Sequence, residues 1–74
     1  MGNFFKEAAK CRVEIESWVE IGEIGKAETE LSRLRDIYGK SGRARNKNDQ
    51  ADAPLIHAIV KSMEELVNGK KKGM

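Results

Sequence analysis

Apolar residues recur from Phe4 to Trp18 in steps of four, three, four and three: Phe4, Ala8, Cys11, Ile15, Trp18. That spacing places them on one narrow stripe of a helix, and no strand produces it. Asn3 is the expected N-cap. The stripe stops at Gly22, and Gly22 with Gly25 brackets Glu23-Ile24, a sequence suited to a helix ending and a sharp turn. A second stripe follows at once through Ile24, Ala27, Leu31, Leu34 and Tyr38, with Ile37 on its flank and Gly39 as its expected end. So short a connection makes the two helices antiparallel neighbours. Residues 1–38 are thus expected to form a helical hairpin.

A third stripe, Leu55, Ile56, Ile59, Val60, Met63, Leu66 and Val67, predicts an amphipathic helix over 53–69. Asp52 is its expected cap, Pro54 fits its first turn, and Asn68-Gly69 its stop. Between hairpin and third helix runs GKSGRARNKNDQAD, residues 39–52, rich in small and polar residues and expected to be a flexible basic linker. Residues 70–74 are expected to form a disordered basic tail. The fold class is therefore all-α, a small three-helix bundle made of an antiparallel hairpin plus one amphipathic helix. At 74 residues the core is small, and exchange of the third helix or simple pairing would stabilise a homodimer.

Around its turn the hairpin resembles one unit of a tetratricopeptide repeat. Trp18, Gly22, Ile24, Ala27 and Leu31 are spaced as in that repeat, where a glycine opens the turn and an alanine lets the helices approach. The resemblance covers under half of the chain and one unit only, whereas a stable array needs about three. What it implies is hairpin geometry.

The composition excludes several chemistries. One cysteine, Cys11, and one histidine, His57, build neither an internal disulfide nor a zinc site within one chain. Cys11 falls on the apolar stripe of the first helix and His57 on the polar face of the third, so they read as a buried small side chain and a surface residue. Gly39-Lys40-Ser41 mimics the end of a phosphate-binding loop, but Leu34 stands where that motif needs glycine, and a helix precedes it instead of a strand. No carboxylate pair is set in a pattern that would desolvate it for acid–base work. The expectation is no enzyme activity, no cofactor and no metal. No apolar run approaches the roughly 20 residues that cross a bilayer, and the start lacks the long apolar core of a signal peptide. The expected setting is the cytoplasm, without membrane contact.

Charge is unevenly spread. The net charge is only +2, yet residues 1–38 hold six basic and eight acidic side chains, while the positive excess lies in 39–54 and in 70–74. Two binding surfaces follow. On the first helix Phe5, Ala9 and Val13 form a second apolar strip beside the main stripe. One partner helix cannot cover both strips: either the third helix covers the second, or part of it meets another chain. A shorter second helix would also leave Phe4 and Phe5 projecting by roughly one turn. With Glu16 and Glu20 as an acidic rim, Phe4, Phe5, Ala9 and Val13 are the leading candidate surface for a larger protein partner, which the chain would regulate or inhibit. Small accessory regulators of this kind occur in viruses and mobile elements. The alternative is nucleic acid, its phosphates met by Lys40, Arg43, Arg45 and Lys47 together with Lys70, Lys71 and Lys72. Against it, the linker offers no aromatic residue for stacking. A further alternative is a structural subunit of an assembly.

Overall fold

Three helices pack side by side in the computed structural model, which describes residues 2–72: α1 (Asn3–Glu20), α2 (Ile24–Gly42) and α3 (Lys47–Lys72). Each touches the other two, and among the described residues there is no strand. The result is a three-helix bundle about as wide as it is deep, 41 × 16 × 15 Å.

The stripes become the core with small changes of phase. Ala8, Cys11, Ile15 and Val19 of α1 meet Ile24, Ala27, Leu31, Leu34 and Ile37 of α2 and Ile56, Val60, Met63 and Val67 of α3. Val19 replaces Trp18 as the last buried residue of α1; Trp18 is half-buried and packs on the edge of the core. Ala27 is fully buried, and its small side chain lets α1 and α2 come close.

The α1–α2 turn is the one the glycine foretold. Gly22 takes φ +84°, the left-handed region where a side chain is strained. The Glu23 N–H reaches back to the Trp18 carbonyl at 2.8 Å and the Gly22 N–H to the Val19 carbonyl at 3.1 Å. Those two bonds are a Schellman ending, and they satisfy carbonyls that the helix leaves unpaired.

The second connection differs from expectation. Residues 39–52 are not a linker of that length: α2 continues through Gly42, α3 begins at Lys47, and only residues 43–46 connect them. Gly39 does not end α2, because a glycine inside a helix costs only about 1 kcal/mol and tertiary contacts compensate. Ser41 is fully buried, and its hydroxyl donates to the Asp49 carbonyl, tying the end of α2 to the start of α3. The N-cap of α3 is supplied by Asn46, whose Oδ1 accepts the Asn48 N–H at 2.8 Å, with Asp49 favourably placed in the first turn. Asp52, expected to cap α3, lies inside it and serves α1 instead: its carboxylate accepts the Gly2 N–H at 2.9 Å. Gly2, not Asn3, is the N-cap of α1. The Asp49 carboxylate lies close over Gly2, so the start of α1 sits against the first turn of α3. Pro54 consequently lies within α3 rather than in its first turn. At the far end the helix passes Asn68-Gly69 and includes Lys70, Lys71 and Lys72, whose charges suit a helix C-terminus. The expected disordered tail is thus helical over 70–72, and 73–74 lie outside the described residues.

Candidate functional site

The six residues expected on the protein-binding face of α1 are placed in three different ways. Phe4 and Phe5 are half-buried and pack against the core. They do not project, because α2 is 19 residues long against 18 for α1, and α3 clamps the same end through Asp52. Ala9 is half-buried beside them. Glu16 and Glu20 are exposed, and Glu16 is paired with Arg12 at 3.1 Å, one helical turn away. Val13 remains as an open apolar side chain, 61% exposed.

Val13 has neighbours that the stripe pattern hid. Ser17 and Ile21 follow it at steps of four, on the same outer face of α1. Ile21 is 66% exposed at the C-cap, where the Schellman turn holds it. Together with Trp18, Glu14 and Glu30 these residues line a shallow groove on the α1/α2 side of the turn. The Lys26 ammonium lies 4.6 Å from the centre of the Trp18 ring, a cation–π contact that fixes the indole at the groove edge. The signal for this patch was in the sequence as the Val13, Ser17, Ile21 spacing. Ile21 stands beyond the main stripe, so the stripe alone does not reveal it.

Glu30 is the unusual charge of the site. Its side chain is only 14% exposed, and its Oε2 is buried without a hydrogen-bond partner. The nearest cation is Arg33, whose Nη1 stands 3.7 Å from Oε1, beyond hydrogen-bonding distance. The Glu14 carboxyl lies within hydrogen-bonding reach from α1, and the Cys11 thiol faces it as well. Burial, followed by the Glu14 carboxyl, pushes Glu30 above the usual carboxylate range. Cys11 is itself buried, and its thiol is pushed up by that burial and then by Glu30 and Glu14. A thiol so placed is a poor nucleophile, and the cluster supplies no activated group. Among the described residues no three His, Cys, Asp or Glu side chains are grouped to hold a metal ion. His57 lies against Tyr38, ring centres 5.2 Å apart.

The cations proposed for phosphate contact fall into two sets. Lys40, Arg43, Arg45 and Lys47 gather where α2 passes to α3, with Lys40 paired to Asp36 at 3.1 Å and the Arg43 guanidinium folded over Gly39. Lys70, Lys71 and Lys72 lie at the opposite end of α3, a 26-residue helix about 39 Å long. Lys71 is there paired with Glu28 at 3.3 Å. A rigid rod separates what a flexible linker and tail would have brought together, so the seven cations form no single surface. No helix among the described residues is long and apolar enough to cross a membrane.

No family model matches the chain, and no curated protein or solved structure matches it either.

Proposed function

We propose that the chain is a small non-enzymatic binding module that docks a larger protein and regulates or inhibits it, through the outer face of α1 next to the turn. The observation that supports this is the exposure of Val13 and Ile21, 61% and 66%, on one face with half-buried Trp18 between them. The other large apolar side chains of α1 are buried or pack against the core, whereas these two lie mostly outside it. Large side chains of this kind, grouped beside an aromatic ring and rimmed by charge, are what interface anchors look like. The surface therefore shifts from the Phe4 end expected from the sequence to the turn end, keeping Val13 and the Glu20 rim.

Site-specific photo-crosslinking in living cells tests the reading. A photoreactive residue at position 13 or 21 is expected to give one discrete heavier adduct, absent when the same residue replaces Lys61 on α3. Ile21→Asp should abolish the adduct from position 13 while leaving the helical circular dichroism intact. Adducts only with the chain itself, or none at either position, would reject the reading.

A further inference from the structure

Resting on that docking reading, we infer that the groove beside Trp18 receives an amphipathic helix of the partner that carries an arginine or lysine next to its apolar anchor, with Glu30 and Glu14 as the acceptors of that cation. The argument begins with what the groove lacks. Two carboxyl groups, one from each helix, stand against each other at its inner wall. One of them has a buried oxygen with no donor. Such an oxygen normally finds a partner, because leaving it unpaired costs free energy. None of the nearby cations supplies one. Arg33 stands too far from Glu30 and its own side chain is 65% exposed, while Lys26 is committed to the Trp18 face.

The shape is matched to the charge. The apolar wall, Val13, Trp18 and Ile21, runs along α1 beside the two carboxyls. A ligand that covers the wall therefore brings its flanking residues to Glu14 and Glu30. A guanidinium can bridge two oxygens at fixed geometry, and an ammonium can donate to both. The groove lies between two antiparallel helices, so a further helix laid along it would complete a four-helix arrangement, and helix-in-groove docking uses apolar anchors at steps of three and four. Covering the groove also removes water from the carboxyl pair, which strengthens the attraction to a cation and the cost of omitting one.

A displayed library of helical peptides tests this, with apolar residues fixed at i, i+3, i+4 and i+7 and the positions between them randomised, selected on the immobilised full chain at neutral pH. Selected peptides are expected to carry Arg or Lys adjoining an anchor. Glu30→Gln should weaken the best of them by about 30-fold, the low end for losing one member of a buried charged pair. Alanine at the peptide cation should cost a similar factor, and the two changes together little more than either. Binding should also weaken as pH falls through the raised titration of Glu30, which faces Cys11 and Glu14 of α1 and Arg33 of its own helix, and this dependence should vanish in Glu30→Gln. The conservative Glu30→Gln variant removes a buried charge without removing volume, and its melting curve verifies the fold. Peptides that need Val13 and Ile21 but ignore Glu30→Gln would overturn the inference and leave the docking reading standing. Peptides indifferent to Val13→Asp and Ile21→Asp would overturn both. Self-association of the chain through Val13 would overturn the inference by naming a second copy as the occupant.

Discussion

Helix α2 meets its two neighbours differently. Toward α3 its polar groups are closed: the buried Ser41 hydroxyl donates to the Asp49 carbonyl, Arg35 reaches Glu64 at 2.9 Å, and Tyr38 lies on His57. Toward α1 a carboxyl pair is left open, with Glu30 unpaired at one oxygen and Arg33 too far to close it. A seam that only holds the fold together has reason to satisfy every buried polar group. The seam that leaves one carboxylate oxygen unpaired, beside the exposed Val13 and Ile21, is the one on which the proposed docking rests.

The largest stability effect should come from the closed seam. Ser41→Ala removes a buried hydrogen bond and is expected to cost about 1–3 kcal/mol in urea unfolding. Amide exchange over 47–53 should quicken with it, since that bond anchors the start of α3. An unchanged midpoint would mean the seam is not closed there.

The open seam should respond in the opposite direction. Glu30→Gln is expected to stabilise the fold at neutral pH by about 1 kcal/mol, the low end of what an unpaired buried group costs. The sign with pH follows from the raised titration of Glu30. Between the ordinary carboxylate value and the raised one the folded chain holds the proton more tightly than the unfolded chain. Stability is therefore greater below that window and falls as pH rises through it. Melting temperatures across the acid range should show this slope in the native sequence and a flatter profile in Glu30→Gln. A loss of stability in Glu30→Gln at neutral pH would show that Glu30 has a partner in the fold.

The smallest effect belongs to the outer bridge of the closed seam. Arg35 and Glu64 are 52% and 27% exposed, so Arg35→Ala should cost under about 1 kcal/mol. That cost should shrink further in high salt, where surface charges are screened. A larger, salt-independent loss would make the ion pair part of the core contact.

The all-α class, the hairpin and the Gly22 turn were legible because each depends on residues close in sequence: a repeating step of three and four, and a glycine where the chain needs a positive φ. Val13 was legible for the same reason, as an apolar side chain off the main stripe. The polar stretch differs from expectation because polar pairing, not hydrophobic periodicity, orders it. Asn46 caps α3, the Ser41 hydroxyl ties the end of α2 to Asp49 eight residues on, and Asp52 holds Gly2 from the far end of the sequence. Those contacts also changed the site. They brought the two helix ends over Phe4 and Phe5, turned expected anchors into packing, and stretched the cations to opposite ends of a rod.

The sequence by itself determined three amphipathic helices, their order and the sharp antiparallel first turn, because hydrophobic periodicity and glycine conformation act within a few residues. Only the tertiary structure decided where each helix ends, which apolar side chains remain open, and that Glu14 and Glu30 face one another with the Arg33 guanidinium 3.7 Å from Glu30. Burial and pairing are properties of neighbours in space, and a helix face shows its neighbours only once the other helices are in place.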